Sequence, residues 1–315
     1  MAHDDPTTWS THKGPGWVAR ARDHRSELGT HWGTCGVDGE WKKLARVLLS
    51  EPGPEVAVAD PSAELMLEAP DASRMRQQCD ALAAAYREQD VQVEVLRSPW
   101  PSTANQIFVR DQLWMTPEGA VVGRMAAEQR AGEERFASWA LGSLGIPIVA
   151  TVRGRATFEG ADALWLRPDV VLVGIGQRTN ASGFDTVAAI ARSFGATVFA
   201  MALPARVQHL LGAVNVADRD LATVRPAATT AKARDLLREL GFTVVELPES
   251  TEIVTGYGMN YVALGGRRVV MPGGAPETKT LLEEHGVRCV EVDVGEYLKA
   301  AGGVGCATGI LERRP

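Results

Sequence analysis

The sequence predicts an α/β fold built from a repeated supersecondary unit. From Lys43 the chain runs through an apolar strand-like stretch, LARVLL, an amphipathic helical segment that begins near Asp71, and a second strand-like stretch, VQVEVL. Strand and helix patterns of this kind then return about five times, with a period of roughly 50–60 residues. Several strands end in Gly- or Pro-containing turns, such as VVGRM and RRVVMPGG. An ordinary doubly wound sheet shows the same alternation, so periodicity alone leaves that alternative open.

The other elements follow in order along the chain. Short strands such as TVFAM, TVVEL, YVAL, RRVVM and RCVEV lie between the later helices, and a last apolar strand follows Cys306. The remaining predicted strands lie near 106–109, 119–123, 146–149, 163–166 and 170–173, and the remaining helices near 131–144, 183–194, 231–240 and 276–285.

Residues 1–40 differ in character from the rest. They are polar, show little periodicity and hold four of the six histidines, namely His3, His12, His24 and His31. Such a segment predicts a mobile or loosely docked N-terminal arm, and a histidine metal site is the alternative. We predict a single catalytic domain over residues 41–315.

Composition excludes several classes of protein. The chain of 315 residues is 45% hydrophobic and 23% charged, which is ordinary for a soluble globular enzyme with a sizeable core. A formal net charge of −6, without a basic run that carries aromatic residues, argues against nucleic-acid binding. No segment approaches the ~18 apolar residues of a membrane span, so we expect no membrane partner and a cytoplasmic location.

Sequence signals for bound groups are weak. The cysteines, Cys35, Cys79, Cys289 and Cys306, are too scattered for a disulfide framework, and they form no CxxC pair that would indicate zinc. The GIG at 174–176 follows a strand, but Thr179 stands where a dinucleotide fingerprint needs its third glycine. No Walker sequence occurs. We therefore expect neither a metal nor an organic cofactor.

Cys306 is the first candidate for chemistry. It lies in the run GGVGC just before the last predicted strand, and Gly302, Gly303 and Gly305 allow a sharp turn that a planar substrate can approach closely. Most free cysteines are small buried hydrophobic residues, and that interpretation stands beside the reactive one. A lone cysteine is a candidate nucleophile only if histidine and carboxylate partners exist elsewhere in the chain.

The chain offers such partners. His209, in ARVQHLLGAV, is the candidate base, although a core histidine bonded to backbone is the commoner case. Glu159 and Asp162, in FEGADALWL, flank two small residues before a strand, an arrangement that suits a bend turning both acids toward one pocket. A solvent-facing loop is the alternative. At the predicted strand near 106–109, NQIFVRDQ places Asn105, Phe108, Arg110 and Asp111 where polar residues commonly face a cleft.

Together and in this order, these segments resemble one family. NxxFxRD, GRM, EGAD, GQRTN, HL and a C-terminal GGxxC are similar to the motifs of the guanidino-group-modifying enzymes, the pentein superfamily of arginine deiminases, dimethylarginine dimethylaminohydrolases and amidinotransferases. The resemblance runs from about Lys43 to the C-terminus. It implies a five-bladed β/α propeller of pseudo-fivefold symmetry.

The resemblance also implies roles for individual residues. A guanidinium is planar, cationic and a poor electrophile, so its cleavage requires a soft nucleophile, carboxylates and a proton shuttle. By the family's pattern Cys306 attacks the guanidino carbon, His209 protonates the leaving amine and then activates water, and Glu159 orients His209. The implied substrate-binding residues are Asp111 and Asp162 for the guanidinium, Arg124 and Arg178 for an α-carboxylate, and Asn105 and Phe108 of the first motif.

Two features point to different branches of the family. Asn105 and Arg110 fit the deiminase form of their motif, whereas the segment MNYVALGGRRVVMPGGAPET resembles the dimethylarginine hydrolases. Leu211 stands where deiminases and amidinotransferases carry an aspartate after the histidine. An apolar side chain cannot accept N–H groups of an unsubstituted guanidinium, but it can lie against an N-methyl group.

The sequence thus predicts a hydrolase of arginine or an N-substituted arginine that works through a covalent thiouronium on Cys306. An amidinotransferase that passes the amidino group to an amine is the nearest alternative. A non-catalytic protein that binds guanidino ligands is the alternative from another class. The expected partner is a small guanidino molecule, and a homo-oligomer is compatible with the sequence.

Overall fold

The computed structural model describes residue 5 and residues 9–315. Those residues form short strands and helices in regular alternation. The strands are β1 (Lys43–Ser50), β2 (Gln92–Leu96), β3 (Leu113–Thr116), β4 (Gly119–Val122), β5 (Ile148–Thr151), β6 (Ala163–Arg167), β7 (Val170–Ile175), β8 (Thr197–Ala202), β9 (Val214–Asp218), β10 (Leu221–Val224), β11 (Thr243–Glu246), β12 (Val262–Ala263), β13 (Arg268–Pro272), β14 (Arg288–Val292) and β15 (Gly309–Arg314). The α-helices are α1 (His24–Glu27), α2 (Ala72–Arg87), α3 (Val109–Gln112), α4 (Glu134–Ser143), α5 (Ala181–Ser193), α6 (Ala231–Glu239), α7 (Thr251–Val254), α8 (Pro276–Glu284), α9 (Gly295–Lys299) and α10 (Val304–Ala307).

The strands form five separate sheets of three strands each, and all five sheets have the same topology. The middle strand pairs antiparallel with one neighbour and parallel with the other. A helix makes the crossover in each parallel pair, as α2 does between β1 and β2. The predicted α/β class and its fivefold repeat of one supersecondary unit are therefore both present.

The two ends of the domain meet in the first sheet. β1 pairs antiparallel with β15, where Val47 faces Ile310, and it pairs in parallel with β2, where Val47 faces Val93. Because β1 lies between two neighbours, seven of its eight residues are buried. The last strand of the chain thus completes the sheet that the first strand begins.

The crossover helices each bury one face, as their sequences predict. In α2 the carboxylate of Asp71 caps the helix by accepting the N–H of Arg74 at 2.9 Å. Its buried face, with Met75 and Leu82, packs in the core shared with β1. The start near Asp71 is therefore confirmed.

One predicted element near the site is wrong. Residues 104–107 form a 3₁₀ turn that runs into α3, not a strand near 106–109. Every residue of both elements is buried, so the segment carries no alternation that would separate a strand from a tight helical turn. Cys306 lies on α10, and the last strand begins only at Gly309.

The N-terminal segment makes its described contacts close to the domain boundary. The N–H groups of Gly33, Val37 and Glu40 donate to the carbonyls of Gly145, Thr116 and Trp165 at 2.8–3.1 Å. Residues 1–4 and 6–8 of the predicted arm, including His3, lie outside the described residues. Among residues 5 and 9–315, no helix combines the length and apolar character that crossing a membrane requires.

Candidate active site

Cys306 is held in a short helix that depends on its glycines. A Cβ on Gly302 would lie 2.3 Å from the ring of Phe108, and one on Gly303 would lie 2.9 Å from Oδ1 of Asn260. Glycine is therefore required for the close approach of these two side chains. Protein side chains fill the space beside these two glycines.

The Cys306 sulfur is buried beside an amide. Nδ2 of Asn260 lies 3.2 Å from Sγ, and the backbone N–H of Cys306 donates to Oδ1 of the same side chain at 3.0 Å. Burial and the charge of Asp111 raise the pKa of the Cys306 thiol to about 11, while Asn260 acts in the opposite direction. In the free protein at neutral pH, the sulfur is therefore a thiol.

His209 is joined to two carboxylates. Its Nε2 lies 2.7 Å from Oε2 of Glu159, and its Nδ1 lies 3.8 Å from Oδ1 of Asp111. Burial alone would lower the pKa of His209, but the charge of Asp111 and the bond to Glu159 raise it to about 9. The side chain is thus an imidazolium at neutral pH, able to give a proton.

Arg130 links these carboxylates from behind. Its Nη1 donates to Oδ2 of Asp111 at 2.7 Å and to Oε2 of Glu159 at 3.3 Å, and its other nitrogens bond Glu133. Burial alone would raise the pKa of Glu159, but the charges of Arg130 and His209 hold that pKa well below its usual range. Glu159 is therefore ionised, and the cluster of two cations and three acids is buried as a unit.

A cavity of about 90 Å³ opens beside Cys306 and His209. Leu211, Asn260 and Tyr257 also line it. Much of the remaining wall is apolar, and two arginines add positive charge: the exposed Arg206, and Arg225, which pairs with Glu249. The cavity therefore combines an apolar wall with a few polar and charged groups, which is typical of a small-molecule site.

The structure brings some predicted residues together and separates others. Cys306, His209 and Leu211 line the cavity, and Glu159 and Asp111 contact His209. The other predicted residues do not line this cavity, and each has partners of its own. Asp162 accepts the Thr179 hydroxyl and the Leu210 N–H, Arg178 bonds Glu159 at 3.4 Å, Arg124 reaches the Ala156 carbonyl at 3.5 Å, Asn105 donates to the Glu64 carbonyl, Phe108 packs on Gly302, and Arg110 pairs with Glu40.

The acids and the histidine also form a set with the geometry of metal ligands. Ligand atoms of Asp111, Glu159 and His209 lie within 4.8 Å of one another. Arg130 already donates to both carboxylates of this set, so a second positive centre there would face a buried cation. A divalent ion carries twice the charge of a guanidinium and would meet this repulsion more strongly, so the set is better suited to protons and to singly charged nitrogen groups that donate hydrogen bonds.

Comparison with known proteins decides the family. A family model described as arginine deiminase matches residues 63–238, more than half of the chain. The chain belongs to the arginine deiminase family.

Two relatives of this chain carry the name dimethylarginine dimethylaminohydrolase. One, from Streptomyces coelicolor, is 31% identical over 210 residues, which cover 66% of this chain and 75% of the relative. The other, from Pseudomonas aeruginosa, is 28% identical over 238 residues, or 75% of this chain and 88% of the relative. The resemblance to the guanidino-group-modifying superfamily is therefore confirmed, and so is the enzyme class, a hydrolase of guanidino C–N bonds.

Solved structures share the fold. The N-terminal domain of ArgZ, a cyanobacterial arginine dihydrolase, has a TM-score of 0.74 at 20% identity, and the match covers 86% of this chain and 98% of that one. SxtG, an amidinotransferase from Microseira wollei, has a TM-score of 0.71 at 13% identity, covering 89% and 98%. At these identities the likeness concerns the fold alone.

Five residues of the site occupy equivalent positions, one in each repeat. Asp111, Glu159, His209, Asn260 and Cys306 all lie shortly before the antiparallel strand that starts a sheet: β3, β6, β9, β12 and β15. His209 follows Glu159 by 50 residues, and Cys306 follows Asn260 by 46. The five repeats therefore deliver one polar side chain each to a common centre.

Sequence reasoning missed three residues of this centre. Asn260 could have been found by stepping one repeat of about 50 residues from His209. Arg130 gave no signal, because a charged run such as EQRAGEER is typical of a solvated surface. Tyr257 adopts a left-handed backbone conformation with φ of 51°. Tyrosine rarely adopts this conformation, so nothing in the sequence predicts it.

Proposed function

We propose that the protein hydrolyses a C–N bond in the guanidino group of arginine or an N-substituted arginine, through a covalent thiouronium on Cys306. One observation carries the proposal. Cys306 and the imidazolium of His209 line a single cavity, and Oδ1 of Asp111 beside them is buried without a hydrogen-bond partner among the described residues. A buried carboxylate oxygen that accepts no hydrogen bond is a ready acceptor for guanidinium N–H groups.

Binding of the substrate cation starts the reaction. Its positive charge beside Cys306 lowers the pKa of the thiol, and the thiol proton leaves for solvent. The thiolate attacks the guanidino carbon and forms a C–S bond. His209 then gives its proton to the departing nitrogen, the C–N bond breaks, and a neutral amine or ammonia leaves a thiouronium on Cys306.

Water completes the cycle. Neutral His209 takes a proton from a water molecule, whose oxygen attacks the thiouronium carbon. The C–S bond then breaks, the second proton of that water passes to the departing sulfur, a neutral ureido product forms, and the thiol of Cys306 is restored. Glu159 supports both steps, because its ionised carboxylate keeps His209 oriented and stabilises the imidazolium each time it forms.

Substrate recognition follows from the surrounding charges. We assign the guanidinium to Asp111, with Asp162 as the second acid; Oδ1 of Asp162 lies 2.8 Å from the Leu210 N–H, directly after His209. Arg178 and Arg124 are assigned to the α-carboxylate. Asn105 and Phe108 complete the set by shaping the buried turn that carries Asp111, and Leu211 lies against the guanidino substituent.

The fold proposal accompanies the functional one. We infer that the five equivalent sheets are blades of a five-bladed β/α propeller with pseudo-fivefold symmetry. Closure of the first sheet by β15 supports this, because it joins the last repeat to the first. We infer further that residues 41–315 form one catalytic domain and that residues 1–40 are a polar arm, whose last residues dock on that domain.

Amidino transfer is the second candidate reaction. It shares its first half-reaction with hydrolysis, and the amidinotransferase SxtG has the same fold as this chain. The two reactions differ in whether water or an amine attacks the intermediate.

One experiment tests the function and separates the candidates. The protein is incubated with arginine, N-methylated arginines and other guanidino compounds, with and without amine acceptors, and products are read by mass spectrometry. Citrulline with free amine supports hydrolysis; ornithine with an amidinated acceptor supports transfer. Failure to convert any compound, together with failure of a haloacetamidine to label Cys306, would contradict both reactions and leave a binding protein.

A further inference from the structure

The amide of Asn260 makes two hydrogen bonds to one residue, Cys306. Oδ1 accepts the backbone N–H of Cys306 at 3.0 Å, and Nδ2 lies 3.2 Å from its Sγ. A backbone N–H can only donate, so the oxygen of the amide must face it. The NH₂ group is thereby directed at the sulfur, and the sulfur must be the acceptor in that contact.

This direction has a chemical consequence. Both protons of the Asn260 NH₂ are donors, so the contact is favourable to a sulfur that carries lone pairs and charge. A hydrogen bond to an ionised acceptor is roughly twice as strong as one between neutral groups. The contact therefore stabilises the thiolate of Cys306 more than the thiol.

The surroundings hold the amide in this place. Nδ2 of Asn215 donates to the carbonyls of Met259 and Tyr261, both at 2.9 Å, and so fixes the backbone on either side of Asn260. The Gly305 N–H donates to the carbonyl of Asn260 at 3.0 Å. A Cβ on Gly305 would lie 3.2 Å from Oδ1 of Asn260, so a side chain there would crowd the amide.

We propose that Asn260 is a catalytic residue that donates a hydrogen bond to the sulfur of Cys306 and stabilises its thiolate for attack. The proposal rests on the nucleophilic role of Cys306 given above. It assigns to the repeat of β12, β13 and β14 a function at the position where the other repeats supply Asp111, Glu159, His209 and Cys306.

Other charged and titratable groups face the same sulfur. Asp111 on α3 opposes ionisation of Cys306, and Arg130, in the loop before α4, favours it. His209 and Tyr257 share the cavity wall with the sulfur. Since these groups stay in place when Asn260 is changed, a shift in thiol ionisation between variants reports the amide itself.

The test follows thiolate formation without turnover. In a background with Cys35, Cys79 and Cys289 replaced by alanine, the rate of Cys306 alkylation by iodoacetamide is measured against pH. Asn260→Asp keeps the shape but replaces the donor with a charged acceptor. We expect the midpoint of the profile to rise by about one pH unit or more, with alkylation at least about tenfold slower below the midpoint. Asn260→Ala should shift the profile in the same direction.

Asn180→Asp is the matched control. Like Asn260, Asn180 accepts backbone N–H with Oδ1, here from Thr157 and Gly183, and donates with Nδ2, here to the Arg155 carbonyl, but it caps α5. Asp caps a helix as well as Asn does, so this variant should keep the parent profile. Folded Asn260→Asp and Asn260→Ala proteins with the parent profile would overturn the proposal.

A second measurement covers variants that do not fold. In the wild-type protein, the side-chain NH₂ resonances of Asn260 should shift with pH at the midpoint of Cys306 alkylation, and this shift should vanish in Cys306→Ala. Asn260 NH₂ resonances that do not shift when the Cys306 thiol ionises would also overturn the proposal. If no guanidino compound is turned over but the alkylation midpoint shifts as expected, only the proposed function fails. If guanidino compounds are turned over but the alkylation midpoint does not change, only the role of Asn260 fails.

Discussion

Nε2 of His209 lies 2.7 Å from Oε2 of Glu159, and both side chains are buried. Glu159 comes from the turn before β6 and His209 from the turn before β9, so the pair joins equivalent positions of consecutive repeats. Arg130 bonds the same oxygen of Glu159, which keeps the carboxylate ionised while His209 carries a proton. His209 therefore carries a proton at neutral pH and can act first as an acid.

Replacement of His209 by glycine should trap the intermediate. The variant lacks the group that activates water, so the second half-reaction should be slower by about 10²–10⁴-fold. Incubation with substrate should then leave a mass adduct on Cys306, read by intact-protein mass spectrometry. His285, bonded to the Leu281 carbonyl at the end of α8, serves as control, and His285→Gly should turn over normally. An unaltered rate in His209→Gly would assign the base to another group.

Stability should fall at alkaline pH because of His209. Its pKa is about 9 in the folded protein and 6.5 ordinarily, so the native state holds the proton more tightly. The resulting stabilisation is complete below pH 6.5 and lost as pH rises through 9, an effect on the order of 3 kcal/mol. Urea unfolding at pH 6.5 and 9.5 should show this loss in the wild type and a smaller one in His209→Gln. Equal losses in both proteins would contradict the raised pKa.

Arg130→Met should unfold the site. The change leaves Asp111, Glu133 and Glu159 buried without their common cation, which costs about 3–5 kcal/mol. Urea denaturation measures the loss. Arg192→Met makes the same substitution on the exposed end of α5 and should stay within about 0.5 kcal/mol of wild type. A similar small effect of Arg130→Met would mean that the acids are protonated or hydrated in the native state.

The sequence predicted the repeat, the helix start at Asp71 and the meeting of Cys306 with His209, since each rests on local patterns or on motif order. It could not predict the network behind them. Arg130 is recognisable as buried only once α3 and the turn before β6 bring two acids to it. The strand predicted near 106–109 is wrong because every residue of the two helical turns found there is buried, and hydrophobic periodicity then carries no information.

Cys306→Ser should abolish turnover and leave the fold intact. Serine is nearly isosteric with cysteine, but its hydroxyl is a far weaker nucleophile at neutral pH, so kcat should fall by at least about a thousandfold. Steady-state kinetics and thermal unfolding measure the two effects. Cys35→Ala, Cys79→Ala and Cys289→Ala remove cysteines that do not line the cavity, and their activity should stay near wild type. Residual activity of Cys306→Ser within tenfold of wild type would remove this sulfur from the mechanism.

Leu211→Asp should move preference from N-substituted toward unsubstituted guanidino substrates. Leu211 is buried, lines the cavity with Cys306 and His209, and lies against Gly305. A carboxylate there can accept two N–H groups from a plain guanidinium but is left partly unpaired against a methyl group. A charge-assisted hydrogen bond is worth about 1.5–3 kcal/mol, so the ratio of kcat/KM values should shift by roughly one to two powers of ten.

Leu211→Asn separates charge from shape in this test. The amide has the same size as the new acid but no charge, so we expect a smaller shift in the same ratio. Arginine and its N-methylated forms are compared on all three proteins, with thermal unfolding to show that the variants fold. If the wild type already prefers unmethylated arginine, and folded Leu211→Asp loses activity on every substrate alike, then Leu211 only packs against Gly305 and does not read the guanidino substituent. An N-substituted substrate would then lose its main support, while the roles of Cys306 and His209 would stand.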